Sequence, residues 1–198
     1  MTVHVPIQSL PDRLQAVFGP AAQMPPRRIN DFHAAFARAF AATPEVFHWI
    51  HRDDLVAESS HIAMAHDAAG IHACFVYETS PEEIYIHGLF AGRALPSLAG
   101  RLIAMVGLAD VAATGAGRIR ATTRIYRDGE VNVPAAACLA RLGLVPIRVF
   151  TRQILDTAQD AHLSGTHADD EGVYRSLEMA AKPDKFRARA RALLGSGA

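Results

Sequence analysis

The passage Asn132–Ile147, NVPAAACLARLGLVPI, leaves few folds open. An asparagine opens a short alanine-rich run with Pro134 in its first turn. Gly143 then stands where a C-terminal cap would sit, and an apolar run of strand type, Val145 to Ile154, begins at once. Proline is tolerated in the first turn of a helix, and glycine accepts the left-handed conformation in which many helices stop. Helix start, helix stop and strand follow from residue types alone.

The rest of the chain is organised around that passage. Residues 1–28 carry Pro6, Pro11, Pro20, Pro25 and Pro26 and read as an N-terminal extension with at most one short helix. Asn30 or Asp31 then caps a helix whose Phe32, Phe36 and Phe40 recur every four residues and share a face. Pro44 precedes a second helical stretch, EVFHWIHR. From His61 the period changes to that of strands. HIAMAHDAAG, IHACFVYETS and PEEIYIHGLF form a meander, punctuated by Asp67-Ala68-Ala69-Gly70 and Ser80-Pro81-Glu82. A long helix from Pro96 to Gly115 follows, with Leu98, Leu102, Met105, Val106 and Ala109 on one side. In RIRATTRIY, Ile119, Ala121, Thr123 and Ile125 alternate with Arg118, Arg120, Thr122 and Arg124, a strand with one buried face. The order ααβββαβαβ predicts an α/β (α+β) fold: a mixed central sheet, mostly antiparallel with a parallel pair near its end, flanked by helices.

Residues 29–154 thus form the expected domain. Residues 155–198 are a C-terminal extension, acidic over Asp156–Glu171 and then basic and helical over Lys182–Arg191. A formal charge of zero gives no overall case for nucleic acid or an anionic membrane. Leu102–Ala113, the longest apolar stretch, is interrupted by Gly107 and Asp110 and falls well short of the roughly 20 residues a membrane span requires. The N-terminus lacks the pattern of a secretory signal, and neither Cys74 nor Cys138 has a C-x-x-C neighbour. The expectation is a cytoplasmic protein with reduced, buried thiols and no membrane partner. His48 and His51, three apart, have no further ligand at diagnostic spacing, so no metal site is expected.

With these elements in place, the chain resembles the GNAT N-acyltransferase superfamily. In that family the last helix is introduced by an asparagine, followed by an alanine three on, an apolar-Tyr pair and a Gly-aromatic before the strand. Here Asn132, Ala135, Cys138-Leu139 and Gly143-Leu144 occupy those offsets. Leu139 replaces the tyrosine that protonates the leaving thiolate. The family's pyrophosphate loop, Q/R-x-x-G-x-G/A, falls on Ala94-Leu95-Pro96-Ser97-Leu98-Ala99, where Ala99 fits, Arg93 sits one place early and Pro96 removes one N–H.

The resemblance implies acyl transfer from acetyl-CoA or another acyl-CoA, used as a co-substrate, to an amine of a small molecule or protein. It makes Leu89, Phe90, Arg93, Ser97, Leu98, Ala99, Gly100, Arg101 and Asn132 the donor-binding candidates, the backbone near Leu89 and Phe90 pairing with pantetheine amides. The family's fourth strand, here Glu83 to Phe90, faces the thioester. Alternation puts Tyr85, His87 and Leu89 on one face and Ile84, Ile86 and Gly88 on the other. His87 is the first candidate base, because an imidazole titrates near working pH. Glu83 is the second, acting through water, and Tyr126 is the candidate acid in place of the missing phenol. The basic terminal helix suits an acidic partner such as an acyl carrier protein. Two other readings stay open: a GNAT-like binding or regulatory module without catalysis, and an α/β interaction protein with a basic docking tail.

Overall fold

The two turns of the meander show why the sheet begins where it does. Asp67 Oδ1 accepts a hydrogen bond from Ala69 N–H at 2.7 Å, and Gly70 follows at φ +132°, a conformation that suits glycine. Ser80 Oγ accepts from Glu82 N–H and Glu83 N–H, both at 3.2 Å, while Ser80 N–H donates to Glu83 O at 2.9 Å. These turns join β3 (Ser60–Asp67), β4 (Gly70–Thr79) and β5 (Ile84–Ala91) into the expected antiparallel meander.

The structure is a computed structural model that describes residues 3–6, 14–42, 60–91, 97–126, 128–153 and 173–195, with the backbone alone at 3–6, 39–42, 88, 90, 91, 152, 153 and 174. The stretch EVFHWIHR with His48 and His51, Arg93, the loop Ala94–Pro96 and the acidic run Asp156–Glu171 lie outside the described residues. The remaining elements are β1 (Val3–Pro6), β2 (Gln15–Pro20), α1 (Pro26–Ala42), α2 (Leu98–Thr114), β6 (Ile119–Ile125), α3 (Val133–Arg141), β7 (Val145–Gln153), β8 (Val173–Ala181) and α4 (Pro183–Gly195). The strands form one eight-stranded sheet in the order β1-β2-β3-β4-β5-β6-β8-β7. It is an α/β fold with a mixed sheet flanked by helices. Among the described residues its single parallel pair is β5–β6, and every other neighbouring pair is antiparallel.

Each face of the sheet carries its own core. Ala63, Ala65, Phe75, Tyr77, Ile84, Ile86, Ile119 and Ala121 pack on α2, α3 and α4. On the opposite face Val17, Ile62, Met64, Cys74 and Val76 pack on Ile29, Phe32 and Phe36 of α1. The Phe32 and Phe36 rings stack at 6.3 Å, as their spacing of four predicts. Both are fully buried, which contributes on the order of 1.5–3 kcal/mol each.

The structure corrects four expectations. Residues 1–28 hold the expected short helix, a 3-10 turn at Ala21–Gln23, but also supply two unexpected strands, β1 and β2; β2 pairs along its whole length with β3. Helix α1 starts at Pro26, not behind Asn30 or Asp31, because a proline at the first helical position needs no N–H partner. Helix α2 has no single apolar side: Ala109 is exposed, while Gly100, Ala104 and Gly107 are buried with Leu98, Leu102 and Val106. The cause is α4, which lies on α2 with the Phe186 ring against Gly107. Finally, β8 enters the sheet between β6 and β7, antiparallel to both.

The ends of α2 and α3 follow the residues that announced them. Gly115 closes α2 at φ +71° with its N–H on Val111 O at 3.1 Å. Asn132 Oδ1 accepts from Ala135 N–H at 3.3 Å, and Gly143 (φ +87°) turns the chain into β7.

Candidate functional site

The parallel pair is where the sheet opens. β5 and β6 are in register only at Ile84–Ile119, Tyr85–Arg120 and Ile86–Ala121, although both strands continue. Beyond Ile86 and Ala121 the described residues of the two strands share no register, and His87–Ala91 line the resulting wedge. A rung lost between neighbouring strands exposes backbone N–H and C=O groups that seek partners. Farther along β6 the segment after the turn closes in: Asn132 N–H donates to Arg124 O at 2.9 Å and Tyr126 N–H to Glu130 O at 2.7 Å. Asn132 and Tyr126 therefore lie together at the far end of the wedge's β6 wall.

On the β5 wall a register shift changes the expected face. Cys74 pairs with Phe90 and Val76 with His87, so three steps on β5 match two on β4. Tyr85 and His87 share the α1-side face and stack at 5.1 Å with a 10° interplanar angle. Leu89 does not join them; it packs on the core beside α2. The extra residue of a bulge reverses side-chain direction, which alternation alone does not foresee.

Tyr85 is fixed from two further directions. The Arg120 guanidinium lies 4.2 Å from its ring centroid, and its hydroxyl is 3.2 Å from Thr122 Oγ1. Arg120 also pairs with Glu83, which Arg118 holds from Nε at 2.7 Å. Arg120 Nη1 lies 3.6 Å from Glu178 Oε2, itself bound by Arg148 Nη2 at 3.0 Å. Burial raises the Glu83 titration, but the Arg120 and Arg118 guanidiniums outweigh it and hold the carboxyl below the usual glutamate range. Arg120 is pushed up: burial opposes its charge, and Glu83 outweighs that, helped by Glu178. Glu83 is thus a partly buried anion inside a row of alternating charges.

His87 has a different environment. Its Nε2 lies 3.7 Å from Glu78 Oε1 on β4. Neither Glu78 nor the arginine clamp on Glu83 was foreseen from the sequence. The alternation of Arg118 and Arg120 with apolar residues shows that both arginines share a face, but the strand register that meets them with Glu83 cannot be read from spacing.

At the donor end, Ser97 precedes α2 without a side-chain cap, and its carbonyl accepts from Arg101 N–H at 3.2 Å. Leu98, Ala99 and Gly100 are buried. A methyl group on Gly100 would lie 3.4 Å from Leu193 Cδ2 and 3.6 Å from Cys138 Sγ, so this side of the first turn is packed on α3 and α4. Leu139 is also buried, in the core with Leu142 and Leu144. The basic side chains Lys185 and Arg189 cross Gly143 with their aliphatic stems, and Arg189 and Arg191 are exposed.

Strand order, one parallel pair and its opening define the class: a mixed α/β sheet split between its two parallel strands. No family model and no curated protein matches the sequence. Solved structures match the fold. The ribosomal-protein-S18-alanine N-acetyltransferase from Escherichia coli superimposes with a TM-score of 0.58 at 12% identity, over 84% of this chain and 93% of that one. An N-acetyltransferase from Staphylococcus aureus Mu50 gives 0.59 at 8%, over 86% and 98%. A GNAT family acetyltransferase from Elizabethkingia anophelis, with acetyl-CoA bound, gives 0.54 at 12%, over 87% and 99%. The chain has the GNAT N-acetyltransferase fold, at low sequence identity to these proteins.

Proposed function

We propose that the protein is an N-acyltransferase that moves an acyl group from an acyl-CoA to an amine by direct attack in a ternary complex. The observation that carries this reading is the wedge, which opens where the described β5–β6 register ends at Ile86 and Ala121. An extended pantetheine arm has amides that complement such an edge, and backbone groups near Leu89 and Phe90 are the ones to meet them. The first turn of α2, Ser97–Arg101, with Arg93 before it, would receive the donor phosphates. Asn132 shapes the opposite wall through its cap on α3.

His87 stands at the mouth of the wedge and is the proton acceptor in this scheme. The amine lone pair forms the C–N bond, the C–S bond breaks, the sulfur leaves as thiolate, and the imidazole takes the proton from nitrogen. Glu83 is the weaker candidate, because two guanidiniums occupy its oxygens and lower its proton affinity. Tyr126, at the wedge's far end, is the candidate to return a proton to the thiolate. A cytoplasmic location and an acyl carrier protein as alternative donor, docking on the exposed arginines of α4, belong to the same proposal.

Leu139 favours a second reading. The position that carries the family's phenol holds a core leucine, which suits a scaffold that binds acyl-CoA without turnover. Two measurements separate the readings. Acetyl-CoA, longer acyl-CoAs and free CoA should each raise the melting temperature, since a ligand bound only by the folded state stabilises it by RT ln(1 + [L]/Kd). Thiol release from acetyl-CoA or an acyl carrier protein, with a panel of amines, should then appear for the enzyme and be lost in His87→Asn. A flat thermal response to every CoA species, together with no thiol release from an acyl carrier protein, would refute both readings. A shift without thiol release would leave the binding module.

A further inference from the structure

We propose that Glu78 is the positioning residue of His87: its carboxylate holds the imidazole at the mouth of the wedge and stabilises the imidazolium formed when the amine gives up its proton. The proposal rests on the reading of His87 as the base and extends it to a residue on a different strand.

Three observations converge. The Glu78 carboxylate approaches His87 Nε2 to 3.7 Å, an ion-pair distance. Backbone register explains why it can: Glu78 pairs with Tyr85 and Val76 with His87, so Glu78 is a diagonal neighbour of His87 on the same sheet face. The third is the Tyr85 ring, stacked on the imidazole at 5.1 Å and nearly parallel to it. Tyr85 is in turn held by Arg120 and Thr122 of β6. The ring of His87 is therefore bounded by a carboxylate from β4 and an aromatic face from its own strand, and that face is tied across the last paired rungs of the sheet.

The charged groups around the imidazole act in opposite directions. Glu78 favours its protonated form. Arg120, on the Tyr85 ring, opposes it from farther away, and Arg120 is already neutralised by Glu83 and Glu178. Glu78 approaches the ring directly with its carboxylate, at 3.7 Å. Its side chain is half exposed, so solvent screens the attraction and the effect is moderate. In the reaction the proton leaves the amine nitrogen for the imidazole, none passes to the carboxylate, and the imidazolium then returns its proton to solvent.

The test uses the full chain and two readouts. Ring-proton NMR, with His87 assigned by His87→Asn, follows the imidazole titration in wild type and Glu78→Gln without any substrate. The midpoint is expected about half a pH unit lower in Glu78→Gln, a difference that shrinks in high salt. Acyl transfer to the best amine, measured as kcat/KM against pH, should show its acidic limb moved by the same amount. The fall in kcat should be about three- to tenfold, with KM for the acyl-CoA little changed. Glu78→Asp, which keeps the charge on a shorter arm, should keep most of the titration shift while losing part of kcat. An imidazole whose titration does not move in Glu78→Gln overturns the pairing, whether or not the protein is an enzyme. If the imidazole moves but no acyl transfer is found with any donor, the pairing stands as a structural contact and the catalytic role fails with the acyltransferase reading. A moved imidazole with an unmoved acidic limb overturns His87 as the base and Glu78 as its positioner together.

Discussion

At the scale of single residues, the clearest division is between two carboxylates of the β4–β5 hairpin. Glu83 sits between Arg118 and Arg120, and Glu78 beside an imidazole. The first has a consequence for stability. Because the folded-state titration of Glu83 lies below its ordinary value, its ionised form stabilises the fold above the usual glutamate range. That contribution is lost as pH falls through the lowered folded value. Glu83→Gln is therefore expected to melt lower than wild type at pH 7, with the gap closing as pH falls toward 3. Thermal melts across that range check this, and a gap independent of pH would contradict it. Cys74 belongs to the same scale: burial pushes its thiol up to about 12, so it stays a thiol and packs as a small apolar side chain between β3 and α1. The expected buried thiol was legible because Cys74 lies inside an apolar strand. The Glu78–His87 approach was not, because it depends on which β4 residue stands diagonal to His87 after a one-residue bulge.

At the scale of elements, punctuation was readable and partnership was not. Asn132, Pro134, Gly143 and Gly115 marked helix ends through conformations their own side chains favour. So did the Asp67 and Ser80 turns, whose hydrogen bonds are local. The start of α1 was missed because Pro25 and Pro26 looked like an interruption, when a proline at the first position is a beginning. The strands β1, β2 and β8 were missed for a different reason: their burial comes from distant neighbours, not from their own period. Helix α2 records such a neighbour. A methyl group on Gly107 would stand 2.5 Å from Phe186 Cζ and 2.6 Å from Cε1, so the absent side chain is the seat of the α4 ring. Gly107→Ala is expected to cost about 1–3 kcal/mol. Combined with Phe186→Leu it should cost less than the sum of the two single changes. Urea unfolding of the four proteins measures the coupling, and strict additivity would mean that the ring does not rest there.

At the scale of the whole molecule, the sheet is completed by its last strand. β8 lies between β6 and β7 and pairs with both along most of their length, and α4 follows it to cover α2. A chain ending at residue 154 retains α3 and β7 but leaves β7 without the strand it pairs with among the described residues. It is expected to lose cooperative melting by circular dichroism. A chain ending at residue 181 keeps β8 and should retain strand signal at reduced stability. Cooperative melting of the shorter chain near the wild-type temperature would show that β8 is dispensable. The wedge also depends on this closure, since β6 is one of its walls and β8 is the strand that fastens β6 from behind. The order of the strands therefore sets a clock on the ribosome. β1 through β5 can assemble as they emerge, but β7 appears before the strand that separates it from β6. Until residues 173–181 leave the exit tunnel, β6 and β7 present adjacent open edges that run in the same direction. During that interval the nascent chain is most exposed to pairing with another copy of itself.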